Sequence, residues 1–277
     1  MTIALTHFAA RAGDHNDRAM AASPVLTQVL ADTTGADPVV IGEPAPALAT
    51  GWEEELAAAR LDLQLVAQRY EDVFHAGETP VTALSRCAVA LATLPVVAAH
   101  RDDAAVVWFD AHADLNTPGN TNTGYLGGLA FAGPLGLWDS GLGSGLALHN
   151  AVLVGARDLD APERALVDDG SVRLVRVATD MAEQLRQVIA GRPVYVHIDC
   201  DVLAPGTVPT DYLVPGGMTL AQLRECAAVL AESEVVGIEV GELEAVDPSD
   251  PSPARLIVEA LAPLLDKVAR VAATDRR

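Results

Sequence analysis

The most constraining feature of this sequence is the alternation of short runs rich in β-branched residues with longer segments of helical period. Gly, Pro or Asp bounds the short runs, and we predict buried strands at residues 38–41, 104–109, 151–154, 172–175, 194–198 and 235–240. Helical period predicts helices at residues 52–70, 82–92, 179–189, 220–231 and 254–271. Such alternation indicates βαβ units, and therefore an α/β fold with a largely parallel sheet covered by helices on both faces.

Length and charge narrow the class of protein. The chain has 277 residues, half of them hydrophobic, which is enough for one large core, and we expect a single domain over residues 1–277. A net charge of −20 argues against a nucleic-acid or anionic-membrane partner, because both would need a basic surface. An acidic protein suits a cationic small molecule, although solubility explains the acidity equally well.

Cysteine content and the first residues of the chain bear on its location. Three cysteines without close spacing are typical of reduced thiols rather than of a disulfide framework. No apolar run long enough for a secretion signal opens the sequence, and no transmembrane stretch is apparent. These features predict a cytoplasmic protein.

Two predicted strands end in metal-binding side chains. VVWFDAHAD places Asp110, His112 and Asp114 on one side if the strand persists, and VYVHIDCDV does the same for Asp199 and Asp201. Ligands of parallel α/β sheets gather at the carboxyl ends of the strands, where these groups would converge. Each motif alone is more often a solvated strand end. Together they predict a metal site, because four clustered carboxylates would repel one another without cations.

The ligand types in this cluster indicate which metal it would bind. Carboxylates outnumber imidazoles, which favours a hard or borderline dication such as Mn²⁺ over a structural Zn²⁺. A third strand ending, GIEVGELEAVD, carries Glu239 and Glu242. A carboxylate beside the metals could hold a planar guanidinium through a bidentate pair, although a Glu that caps the next loop explains the spacing about as well.

With these motifs, the chain resembles the ureohydrolase family of arginase and agmatinase. VVWFDAHADLNTP is similar to the family's Asp-Ala-His-x-Asp signature, and VYVHIDCDVLAPG to its Ser-x-Asp-x-Asp-x-x-Asp-Pro signature. The resemblance implies a three-layer αβα sandwich around a mainly parallel, roughly eight-stranded sheet. It also implies two Mn²⁺ ions and a homo-oligomer, either a trimer or a hexamer.

The resemblance further assigns roles to individual residues. Asp110 and Asp199 would bridge the two ions, His112 and Asp201 would complete one site, and Asp114 would serve the other. Water activated between the ions would attack the guanidinium carbon. Asp114 would pass a proton toward the leaving amine, and Glu242 would grip the guanidinium.

The amino-acid end of the substrate has its own expected contacts. GARDLDAPE resembles the arginase branch, in which an Asp at the place of Asp160 receives the α-amino group. An Asn and a Ser near the places of Asn116 and Thr123 receive the α-carboxylate in that branch. The implied activity is hydrolysis of the guanidino group of arginine, or of a derivative such as N-hydroxyarginine, to urea or hydroxyurea plus an amine.

Three departures from the family pattern limit this interpretation. Aligning DVFHAGETP with the family's Gly-Gly-Asp-His segment places Thr79 where a ligand His is expected, which predicts a weakened metal site. In TGYLGGLA, Tyr125 takes the place of an Asn and Gly127 the place of a His thought to shuttle protons. Ala204 replaces an Asp. A hydrolase of another guanidino or amide compound, or a silent homologue with a binding or regulatory role, therefore remains an alternative.

Overall fold

The computed structural model describes the backbone of residues 2–274 and the side chains of residues 2–270. Its strands are β1 (Ile3–Phe8), β2 (Val39–Ile41), β3 (Thr79–Ala83), β4 (Ala105–Phe109), β5 (Ala151–Val154), β6 (Arg173–Val175), β7 (Val194–Asp199) and β8 (Val235–Gly241). Its helices are α1 (Arg18–Thr34), α2 (Trp52–His75), α3 (Ala90–His100), α4 (Ala161–Asp168), α5 (Met181–Ile189), α6 (Leu220–Leu230), α7 (Ser252–Ala260) and α8 (Ala262–Thr274).

The strands form one eight-stranded sheet in the order β2-β1-β3-β8-β7-β4-β5-β6, and every pairing between the named strands is parallel. Helices α2, α3 and α4 pack on one face, and α1, α5, α6, α7 and α8 pack on the other. Each face has its own apolar core, because side chains of a buried parallel strand point alternately to both sides. The predicted three-layer sandwich and its strand count are confirmed.

Some predicted elements differ from the observed ones. Strands β1 and β3 were not predicted from the sequence, and the helix predicted at residues 82–92 is wrong over its first part. There β3 runs through Thr82, which pairs with Thr6 on one side and Glu239 on the other. Pairing with two neighbouring strands outweighs the local helical period, and α3 begins only at Ala90.

Two further differences have local causes. The helix predicted at residues 254–271 is divided at Leu261, since Pro263 fits the first turn of a helix but not its interior. Strand β2 is not buried as predicted; it lies at the sheet edge, where Val40 is 56% exposed. Among the described residues, no helix combines the length and the apolar composition needed to cross a bilayer.

Candidate active site

A cleft of about 210 Å³ lies at the carboxyl ends of the central strands β3, β8, β7 and β4. The segments that follow these four strands all reach it, as expected for a parallel sheet. Its walls are formed by Cys87, His112, Asp114, Asn116, Thr123, Tyr125, Gly127, Gly128, Asp158, Asp160, Glu163, Asp199, Tyr212 and Glu242. Most residues singled out from the sequence therefore meet in one cleft.

The first cluster in this cleft joins the ends of β4 and β7. His112 Nδ1 lies 3.2 Å from Asp110 Oδ1 and 3.1 Å from Asp201 Oδ2. The backbone holds both carboxylates: His112 N donates to Asp110 Oδ1 at 2.7 Å, and Ala111 N donates to Asp201 Oδ1 at 2.9 Å. The ligand atoms of these three side chains are close enough to share one metal ion.

A second cluster includes Cys87, which was not predicted from the sequence as a site residue. Cys87 follows β3, and its sulfur lies 3.3 Å from Asp199 Oδ2. Its sulfur also groups with the carboxylates of Asp110 and Asp114 within the span of a metal site. A thiol, two carboxylates and the adjacent Asp199 thus surround a second position beside the first cluster.

The expectation for Thr79 is wrong. Thr79 is the first residue of β3 and pairs with Ile3, at the amino end of the sheet. The carboxyl end, where the two clusters lie, is a strand length away, so Thr79 cannot be the ligand. Cys87 is the residue after β3 that reaches the cluster.

The Cys87 thiol is supported by a buried hydrogen-bond chain. His197 Nε2 lies 3.1 Å from the Cys87 sulfur, and its Nδ1 lies 2.7 Å from Glu239 Oε1. Tyr195 donates to the other Glu239 oxygen at 2.7 Å. The imidazole also stacks on Trp108 with ring centroids 3.5 Å apart. This chain fixes the imidazole orientation and holds Nε2 beside the Cys87 sulfur.

The electrostatics of the clusters fit cation binding. Burial, followed by the charges of neighbouring carboxylates, raises the pKa values of Asp114 and Asp199 well above their usual range. Burial and Asp110 raise the pKa of Asp201 to about 6. Burial lowers the pKa of His112, but hydrogen bonds and charges from Asp110 and Asp201 outweigh it and raise the value to about 12. Protons here offset crowded negative charge, a role that divalent cations fill better.

Glu242 follows β8, and its carboxylate is already engaged on two sides. One oxygen accepts from Arg86 Nη1 at 2.7 Å and the other from Cys87 N at 2.8 Å. Glu242 and Asp114 also have left-handed backbones, with φ of 60° and 52°. Such conformations are costly for non-glycine residues and persist where the surroundings enforce them.

Other residues of the cleft come from the segment after β4 and from the start of α4. Asn116 Nδ2 donates to Asp160 Oδ2 at 3.0 Å, while the buried Asn116 Oδ1 has no hydrogen-bond partner among the described residues. Glu163 ties the two segments together, because it accepts from Leu115 N at 2.9 Å and from Asp160 N at 2.8 Å. Thr123 lies on the same cleft and accepts from Tyr125 N at 3.2 Å.

Comparison with known proteins agrees with this architecture. The model of the family described as "Arginase family" matches residues 31–265. An Nω-hydroxy-L-arginine amidinohydrolase from Streptomyces lavendulae is 42% identical over 229 residues, which cover 83% of this chain and 82% of that protein. The arginase of Schizosaccharomyces pombe is 31% identical over 177 residues, covering 56% of this chain and 54% of that one.

Solved structures show the same fold. The arginase of Bacillus subtilis superposes with a TM-score of 0.82 at 21% identity, covering 96% of this chain and 98% of that chain. With the family match spanning most of the chain and a 42% identical relative covering 83% of it, the sequence and the cleft lead to one assignment. This protein is a member of the arginase family and a hydrolase of guanidino compounds.

Proposed function

We propose that this protein hydrolyses Nω-hydroxy-L-arginine to hydroxyurea and an amino-acid amine, using two divalent cations. The observation that carries the proposal is the sharing of one cleft by the metal-binding clusters and the Asp160–Asn116 pair. The Asp160 carboxylate suits the α-amino group of an amino-acid substrate, and the Asn116 amide suits its α-carboxylate. The 42% identity to an amidinohydrolase named for that compound supports the choice of substrate.

The residues present fit a pair of cations. His112 and Asp201 would hold one of them, Cys87 and Asp114 would hold the other, and Asp110 and Asp199 would contribute to holding the pair. When bound, the cations supply the positive charge that activates water for attack near neutral pH. A cysteine ligand is softer than the carboxylates predicted from the sequence, so metals such as Zn²⁺ or Co²⁺ compete with Mn²⁺ for that position.

The remaining groups act on the substrate and its protons. Asp114 belongs to the second cluster and lines the cleft, so its carboxyl can take a proton from water and release it toward the departing nitrogen. Glu242 faces the cleft and contacts the guanidino group with the lone pairs that Arg86 and Cys87 leave free. Asn116 and Thr123 would hold the α-carboxylate, and Asp160 the ammonium. We further propose a homo-oligomer, trimeric or hexameric, in the cytoplasm.

One set of assays tests the proposal. Protein stripped with a chelator should regain hydroxyurea release from Nω-hydroxy-L-arginine on addition of Mn²⁺, Co²⁺ or Zn²⁺. Asp199→Asn should lose both bound metal and turnover. Asp158→Asn also changes an aspartate that lines the cleft, but one outside both clusters, and it should keep metal and turnover. Asp160→Ala should raise KM for α-amino substrates more than for agmatine.

Other outcomes distinguish the alternatives. Metal uptake without turnover of any guanidino compound would support a silent homologue. Turnover of agmatine but not of amino-acid substrates would show that the protein acts on a different class of guanidino compound. Full activity of Asp199→Asn would contradict the metal assignment.

A further inference from the structure

Tyr125 carries a buried hydroxyl that the chain leaves unsatisfied. Its Oη has no hydrogen-bond partner among the described residues, and the side chain lines the cleft together with Glu242 and Asp199. A buried phenol normally finds a partner, since an unmade hydrogen bond is costly. The hydroxyl is therefore a donor in the wall of the cleft whose acceptor the described part of the chain does not supply.

Gly127 makes room for this phenol. A Cβ at position 127 would lie 2.4 Å from Tyr125 Cε1 and 2.7 Å from Cζ, closer than real Cβ contacts come. Gly127 is not among the glycines with a left-handed backbone, so the glycine is needed for space and not for its conformation. The volume that a side chain at 127 would fill is occupied by the ring and hydroxyl of Tyr125.

The ring is also held from the other side. His15 packs against it with centroids 4.2 Å apart, and Tyr212 lies 6.1 Å away. Burial, followed by the charge of Glu242, raises the pKa of Tyr125 well above its usual range. The hydroxyl is thus a fixed, protonated donor that lacks an acceptor.

The missing acceptor distinguishes two kinds of guanidino group. A guanidinium presents only N–H donors along its edges and cannot accept the Tyr125 proton. An N-hydroxyguanidino group adds an oxygen that can accept it. We propose that Tyr125 is a specificity-determining residue that donates a hydrogen bond to the oxygen of an N-hydroxyguanidino substrate. This inference rests on the proposed function and assigns its preference for the hydroxylated substrate to one side chain.

The decisive variant is Tyr125→Phe, which keeps the ring above Gly127 and removes only the hydroxyl. Its kcat/KM for Nω-hydroxy-L-arginine, divided by that for L-arginine, should fall at least about tenfold, mainly through loss on the hydroxylated substrate. Tyr212→Phe, which alters another tyrosine of the same wall, should keep the wild-type ratio. The unliganded Tyr125→Phe protein should melt at or above the wild-type temperature, because an unpaired buried hydroxyl is removed.

Wild-type protein provides a test that needs no variant. Hydroxyguanidine should inhibit competitively with a KI at least about tenfold below that of guanidine, and the gap should shrink in Tyr125→Phe. An unchanged ratio of the two kcat/KM values in Tyr125→Phe, or a clearly lower melting temperature, would overturn the proposal. Wild-type protein that hydrolyses neither substrate yet prefers hydroxyguanidine as a ligand would instead contradict the proposed function alone.

Discussion

Arg86 holds Glu242 from behind the cleft. Its Nη1 donates to the Glu242 carboxylate at 2.7 Å, while its Nε and Nη2 donate to Asp14 at 3.0 Å and Glu244 at 3.1 Å. Arg86 is completely buried and does not line the cleft. The Glu242 carboxylate, which the sequence predicts to bind the guanidino group, is therefore paired with a cation of the protein itself.

This pairing predicts a weak preference for positive charge in the substrate. L-citrulline has the same amino-acid end as L-arginine but a neutral terminal group. Because Glu242 already pairs with Arg86, the two compounds should inhibit hydrolysis of Nω-hydroxy-L-arginine with KI values within about tenfold of each other. Competition assays on wild-type protein measure both constants, and arginine binding a hundredfold tighter would show that Glu242 remains available to a cation.

Removal of Arg86 should destabilise the fold strongly. Arg86→Gln leaves buried carboxylates without their cation, which typically costs about 3–5 kcal/mol in the free energy of unfolding. Arg101→Gln is a suitable control, because Arg101 also pairs with two carboxylates, Asp103 and Glu234, but on the surface, where the loss should stay below about 1 kcal/mol. Urea denaturation compares the two variants, and equal losses would refute a special role for burial at Arg86.

Substitution of Cys87 should leave a spectroscopic signature. If the thiolate binds a cation, Co²⁺-loaded protein should show a sulfur-to-cobalt charge-transfer band in the near ultraviolet. Cys87→Ser should lose this band and bind the second cation more weakly, whereas Cys200→Ser, a thiol buried in the core on the other side of the sheet, should retain both. A band that survives in Cys87→Ser would exclude the thiol as a ligand.

The stabilisation produced by metal should grow with pH. The folded pKa of Asp201, about 6, lies above its ordinary 3.8, so in metal-free protein this group loses its stabilising proton as the pH rises between those values. The raised pKa of His112, about 12, acts in the same direction, because its contribution is complete below its ordinary 6.5 and declines as the pH rises toward 12.

Bound cations replace both protons, so the metal-induced rise in melting temperature should be larger at pH 8 than at pH 5. Thermal melts of chelator-treated protein with and without Mn²⁺ measure it. Asp201→Asn should flatten the dependence, and Asp158→Asn should preserve it. A shift independent of pH would contradict proton displacement at this site.

The sequence was most informative about polar residues that directly follow a strand. Asp110, His112, Asp199 and Asp201 stand at alternate positions after apolar runs, and a parallel sheet brings such ends together whatever the loops do. The strand count and the layers follow from the same alternation. The prediction failed around β3, because the alignment of DVFHAGETP with the family's Gly-Gly-Asp-His segment placed the ligand at Thr79, at the wrong end of the strand.

The roles of Cys87 and Tyr125 could not be predicted from local sequence patterns, for different reasons. The apolar run before Arg86 could have indicated a strand with Cys87 at its end, but the Ala-rich continuation favoured a helix. Tyr125 was noticed only as a replacement. Its importance depends on the space above Gly127 and on a missing hydrogen-bond partner, which are properties of the folded cleft and have no signature in the sequence.

The cleft is lined by residues from Cys87 to Glu242, which widely separated parts of the chain contribute. During synthesis, the ribosome must therefore release the chain through β8 before Glu242 can join Asp110 and Asp199. A prematurely terminated product that ends before β8 would lack both this central strand and Glu242.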